Sequence, residues 1–195
     1  MDKQTFWQLI ATARADTAAD PAAEGEAGRD ADADGDANRD AVARRAAELL
    51  AARPEAEMLA AQQVLWDLLA ESYRSPLWAA AYMINGGCSD DGFDYFRGWL
   101  LTQGREVFDA ALADPDSLAE HPAVREAAAE GLELEDEEAL SIAWTAYENA
   151  TGRELPSDSF TIGYPPLDPA WDFDFDDEAE LAARLPRLSA LFGDA

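Results

Sequence analysis

Apolar residues recur at intervals of three and four along most of this chain, the spacing that lines one face of an α-helix. Phe6, Leu9, Ile10 and Ala13 set a first helix from about Lys3 to Ala15. The pattern lapses from Asp16 to Asp40, a low-complexity run of Ala, Asp, Gly and Glu with almost nothing to bury, which reads as a disordered linker or loop. It resumes over Ala41–Ala52 and again, after Pro54, through Arg74; the first turn of a helix tolerates the N–H that proline lacks. The Ser75-Pro76 step opens a compact apolar helix that ends near Ile84. Asn85-Gly86-Gly87 predicts a turn, and Ser89 or Asp90 can cap the following helix, which runs to about Gln103. Gly104 ends it and Arg105–Ala113 carries another helix. The Asp114-Pro115 and His121-Pro122 steps mark further boundaries. Glu135–Ala150 places Leu140, Ala143, Trp144 and Tyr147 on one helical face, and Gly152 supplies the stop.

From Arg153 to Phe175 the pattern changes. Pro156, Pro165, Pro166 and Pro169, interspersed with Phe160, Ile162 and Tyr164, predict an extended arm packed over the helices, with room for no more than a two-residue strand. Asp176 or Asp177 then caps a last helix through Leu191. The expected fold class is therefore all-α. It is an irregular multi-helix bundle forming a single domain over residues 1–195, with an acidic disordered insert at 16–40 and a Pro/aromatic-rich extended arm at 153–175. No internal repeat is evident.

Composition adds a strong constraint on partners. The chain is 48% hydrophobic and holds six Trp, five Tyr and eight Phe, too much apolar material for a disordered protein. Its 41 acids against 14 bases give a formal charge of −27. Such a field repels nucleic-acid phosphates and anionic membranes, and it suits a basic protein partner. No apolar run approaches the ~18 residues of a membrane span and no secretory leader pattern is present, so a cytoplasmic location is expected. Arg supplies all but one of the bases, and Ala, Asp and Gly abound, a usage typical of an actinobacterium. The single cysteine, Cys88, permits neither an intramolecular disulfide nor a cysteine metal cluster.

Candidate chemistry concentrates between Met83 and Gly104. On a wheel of 100° per residue, Arg97 lies about 40° from Phe93, between it and Leu101 and so inside the apolar face centred near Phe93 and Leu100. A guanidinium there must be paired or reach a wet pocket, because an unpaired buried charge costs several kcal/mol. Asp94 is the nearest acid, and Asp90 and Asp91 stand at the helix start, where the helix dipole favours anions. The Gly86-Gly87 turn could expose backbone N–H groups, but these carboxylates would repel an anion, so a cation, an amine or a basic partner fits better. Upstream, Gln62 falls within the face formed by Leu59, Trp66, Leu69 and Tyr73. The candidate binding set is therefore Asn85, Asp90, Asp91, Asp94 and Arg97, with Gln62 as a possible partner across a shared polar pocket. An architectural ion pair is the commoner fate of an arginine so placed.

Other signals are weaker. Asp30, Asp32, Asp34, Gly35, Asp36 and Asn38 follow the ligand spacing of a calcium-binding loop, but Ala41 stands where the bidentate Glu belongs. Asp172, Asp174, Asp176 and Asp177 interleave with Phe173 and Phe175, an alternation expected to pack the rings inward and leave the acids in water. Cys88 with His121 would make a nucleophilic pair, yet two carboxylates beside the thiol work against it. No Ser-His-Asp, phosphate-loop or dinucleotide pattern appears, no metal site or cofactor is called for, and no catalytic residue is assigned.

The run Ile84-Asn-Gly-Gly-Cys-Ser-Asp-Asp-Gly-Phe-Asp-Tyr-Phe-Arg-Gly-Trp-Leu100 resembles the family called domain of unknown function 4240, which is common in actinobacteria. Thr5-Phe-Trp-Gln-Leu-Ile10, Gly104-Arg-Glu-Val-Phe-Asp109 and Asp114-Pro-Asp-Ser-Leu118 are similar to it too, so the resemblance covers about Met1 to Ala150. It implies membership and no particular activity; the Asp16–Asp40 insert is longer than it requires. Two functions follow as expectations. The leading one is a non-enzymatic acidic protein-interaction or regulatory module, antitoxin-like in its manner of binding. The alternative is a small-ligand-binding protein or enzyme with a pocket on the Gly86–Asp91 turn and the helix after it. Whether the chain is an enzyme, and its oligomeric state, are left open by the residues.

Overall fold

The computed structural model describes residues 1–19 and 40–193 of the chain. The described residues are mostly helical, without a strand among them, and divide into two compact units. The all-α fold class stands. The calcium-loop spacing and most of the acidic insert lie outside the described residues.

The first unit comprises Met1–Leu68 and Asp136–Gly163. Helix α1 (Lys3–Ala19) buries Phe6, Leu9, Ile10 and Ala13, the stripe its spacing predicts. It continues past Ala15, because Ala is a strong helix former and Asp16 finds an ion pair with Arg45, 2.8 Å away on α2 (Ala41–Ala51). Ala43, Ala46 and Ala47 on α2 are small enough to let α1 and α8 (Ile142–Thr151) pack closely against it. Helix α3 (Glu55–Ser72) adds Met58, Val64 and Leu65 to this core. The helix expected from Glu135 begins later than that. Asp136 Oδ1 accepts the Ala139 N–H at 2.8 Å, which favours a 3₁₀ turn at Glu138–Ser141 before α8 starts. Gly152 ends α8 with φ of 67°, a left-handed cap that a side chain would strain.

The early part of the arm is pinned to this unit. Phe160 stacks on Trp66 (6.3 Å, 4° between planes) and meets Trp144 edge-on. The Gln63 amide takes both backbone groups of Thr161, accepting its N–H at 2.8 Å and donating to its carbonyl at 3.2 Å. A side chain thus supplies the pairing that a neighbouring strand would, and no strand forms.

The second unit comprises Leu69–Glu135 and Tyr164–Ala195, described here to Gly193. It holds α4 (Ser75–Ile84), α5 (Asp90–Thr102), α6 (Arg105–Ala113), a 3₁₀ segment at Pro115–Glu120, and α7 (Pro122–Glu130). The arm carries a 3₁₀ turn at Pro169–Trp171, and α9 (Glu178–Arg184) and α10 (Pro186–Phe192) follow it. The single last helix expected from the pattern is two. Pro186 offers no N–H and clashes with the preceding turn, so the chain breaks at Leu185. Asp177 caps α9 as expected, accepting the N–H groups of Ala179 and Glu180 at 3.1 Å.

Helix α10 packs on α4 and on the Pro115–Glu120 segment. Asp116, buried in that segment, receives the N–H groups of Arg187 at 3.0 Å and Leu188 at 2.9 Å. It caps a helix some seventy positions away in sequence. The Arg187 guanidinium bonds back to Asp116, Asp114 and Glu120. No helix among the described residues is long and apolar enough to cross a membrane.

Candidate functional site

The turn between α4 and α5 is built from backbone requirements. Gly86 and Gly87 hold φ of 65° and 137°, a region closed to most side chains, and this sharp reversal redirects the chain into α5. Asn85 stabilises it from below: its Oδ1 accepts the Leu134 N–H at 3.0 Å and its Nδ2 donates to the Leu134 carbonyl at 3.5 Å. Ser89 caps α5 by accepting the Gly92 N–H at 3.1 Å. Asp90 and Asp91 follow on the exposed first turn.

Arg97 is fully buried, with 0% of its surface exposed. Its Nε donates to the Phe93 carbonyl at 3.2 Å, one terminal nitrogen to the Leu69 carbonyl at the end of α3, and the other to Asp94. Tyr73, Phe93 and Tyr164 place their rings around the guanidinium, centroids 4.6–5.4 Å away. Each nitrogen centre is therefore engaged and the π faces complete the enclosure. Burial, followed by the Asp94 charge, pushes the Tyr164 phenol above its ordinary range.

Gln62 sits in the first unit, 1% exposed. With its amide oxygen facing the indoles it accepts from Trp66 Nε1 at 2.9 Å and Trp144 Nε1 at 3.3 Å. Of the predicted set, Asp94 and Arg97 are joined directly, Asn85 holds a backbone, and Gln62 serves two tryptophans of its own unit.

Cys88 is half-buried and its thiol is pushed up to about 12, by burial first and then by the Glu135 carboxylate, with Asp90 a smaller contributor. Burial likewise raises the Glu135 carboxyl, reinforced by Glu133. A thiol so placed stays protonated at neutral pH and is a poor nucleophile. His121 packs edge-on against Trp99 at 5.7 Å. No group of three or more His, Cys, Asp or Glu suited to a metal occurs among the described residues.

A ring-lined concavity in this unit borders the turn at Cys88. A cleft of about 600 Å³ runs between α4 and the strap of residues 167–175. Helix α4 contributes Ser75, Trp78 and Tyr82, which share one face, and the turn adds Cys88. The strap contributes Trp171, Phe173 and Phe175, alternating with Asp172 and Asp174. The rings touch in sequence: Trp171 to Phe173 at 6.0 Å, Phe173 to Phe175 at 5.4 Å, Phe175 to Tyr82 at 5.7 Å. Trp78 is backed by Phe93 in a 4.7 Å stack and donates its N–H to the Cys88 carbonyl at 3.1 Å. Tyr82 donates to Asp176, and that bond raises the phenol pKa.

The strap is held at several points. Ser75 Oγ donates to the Asp168 carbonyl at 3.4 Å, and Asp168 Oδ1 accepts the Ala170 N–H at 2.9 Å. Arg184, on α9, donates to the Ala170 carbonyl at 2.9 Å and lays its guanidinium over Trp171 and Phe173, 4.8 Å from each centroid. The rings at 173 and 175 are half-buried and the acids beside them exposed, as the alternation predicts, and Asp172 and Asp174 border the same cleft as the rings. Sequence reasoning missed the cleft, although Trp171-Asp-Phe-Asp-Phe175 was its visible signal.

An acidic, all-helical protein with a ring-lined cleft is thus defined. The chain belongs to the DUF4240 family of proteins of unknown function, whose model matches residues 1–149. The match takes in α4 and the Gly86–Asp91 turn and ends before the strap. No curated protein and no solved structure matches the chain.

Proposed function

We propose that this protein is a non-enzymatic interaction module that works in the cytoplasm and captures a basic protein partner in the cleft between α4 and the strap. The observation that carries this reading is the cleft's lining, half-buried aromatic rings interleaved with aspartates. Ring faces are negative at their centres and attract cations, and desolvation strengthens that attraction. The carboxylates bias the same space toward positive charge, and the net charge of −27 steers a basic partner in from a distance. The turn at Gly86–Asp91 serves this role as one wall of the cleft, through Cys88, while Arg97 and Asn85 hold the frame behind it.

The test is native mass spectrometry on the protein purified gently from its own cells. A single protein of high pI should be retained in simple stoichiometry, be identifiable, and rebind when both are reconstituted pure. A Trp171→Ala, Asp172→Asn variant should lose it. Retention of a small molecule with no protein, or rebinding unchanged by that variant, contradicts the reading.

A further inference from the structure

Resting on that reading, we infer that the cleft takes an arginine side chain of the partner, its guanidinium laid against the Trp171–Phe173–Phe175 rings and paired with the Asp172 carboxylate. Ring faces and one carboxylate in a single concavity match a planar, weakly hydrated cation that stacks and donates in a fork at once. A lysine ammonium is compact, strongly hydrated and carries three donors, so it needs several acceptors when it leaves water. The cleft's acceptors are already partly used. Asp168 Oδ1 receives the Ala170 N–H and Asp174 Oδ1 the Asp176 N–H. The Asp172 side chain makes no hydrogen bond or ion pair among the described residues, so it is the carboxylate with both oxygens to offer.

The chain itself shows that these rings receive guanidinium. Arg184 lies over both Trp171 and Phe173 from outside the cleft lining, anchored to Glu180 at 3.1 Å. It braces the ring strip and leaves the cleft to an incoming group. Three aspartates in the lining oppose phosphate or carboxylate ligands.

The experiment titrates the full chain with short, otherwise neutral peptides identical except for one position: arginine, lysine, or citrulline, the uncharged isostere of arginine. Indole N–H resonances of Trp78 and Trp171 are followed at about 0.15 M salt, where long-range attraction is screened. The arginine peptide should shift both resonances saturably, the lysine peptide bind about fivefold more weakly or less, and citrulline fail to saturate, consistent with the size of a cation–π contact. Asp172→Asn, which breaks no internal bond, should weaken arginine binding about tenfold with an unchanged melt; Trp171→Leu should weaken it by a similar factor.

Equal binding of citrulline, preference for lysine, indifference to Asp172→Asn, or no saturable shift each overturns the inference. If peptides fail while the native partner is still retained in a Trp171- and Asp172-dependent way, this inference falls and the partner-binding reading stands. If arginine binds as described and no basic partner is retained, the reverse holds.

Discussion

At the scale of single residues, burial decides what each ionisable group can do. Arg97 looks reactive in a list of side chains, yet its three nitrogens hold the end of α3, the carbonyl of Phe93 and Asp94. Removing it takes one of two side-chain donors from the Leu69 carbonyl, the Ser72 hydroxyl being the other, and strips Asp94 of its cationic partner. Arg97→Met should cost about 2–4 kcal/mol in urea unfolding, and Arg97→Lys a comparable amount, because one ammonium does not reproduce the planar fork. A loss confined to ligand binding, with stability intact, would contradict the architectural role. Cys88 offers a pH test. Its folded pKa, pushed up to about 12, lies above the ordinary value of 9.0, so the folded state favours the neutral thiol. Stability from this group is complete below pH 9.0 and declines as pH rises toward 12, where the unfolded thiolate forms first. Iodoacetamide should therefore alkylate folded Cys88 far more slowly at pH 8 than the urea-unfolded chain; equal rates would place the thiolate within easy reach.

At the scale of elements, short-range pattern and long-range contact divide the labour. The stripe Phe6, Leu9, Ile10, Ala13 and the cap at Ser89 are local, so α1 and α5 are legible from spacing and side-chain chemistry alone. Pro186 marks its break locally as well, although the apolar run through Leu191 continues across it. By contrast, no local pattern reports that Asp116 caps α10 or that Gln63 replaces a strand for Thr161, since each bond joins distant segments. The cleft belongs to the second kind. Its rings sit in plain view in the strap and on α4, but only the fold puts them in one concavity. The Met83–Gly104 segment stood out because it departs from simple helical patterning, and its departures turn out to serve the turn and the buried guanidinium. Asp116→Ala should strip α10 of its cap and cost about 1–3 kcal/mol, read from the urea midpoint. It should also raise hydrogen exchange at Arg187 and Leu188; protection unchanged at those amides would contradict the capping role.

At the scale of the whole molecule, the charge of −27 creates a field that, on the proposed function, draws in a basic partner. Like charges repel within the folded chain, and salt screens them over about 10 Å at 0.1 M. Raising sodium chloride from about 10 mM to about 0.5 M should shift the urea midpoint upward, while the same change weakens capture of a basic partner. A midpoint that falls with salt would mean that ion pairs such as Arg187 with Asp116 outweigh the general repulsion. Long-range charge brings many cations close without discriminating among them; in the proposed function the cleft confers the location. Hydrogen exchange at short labelling times, on the full chain with and without a basic arginine-bearing peptide, tests that location most directly. Protection concentrated over residues 167–175 and around Tyr82 and Cys88 is the predicted result, and protection spread over the acidic surface with the strap unaffected would contradict it.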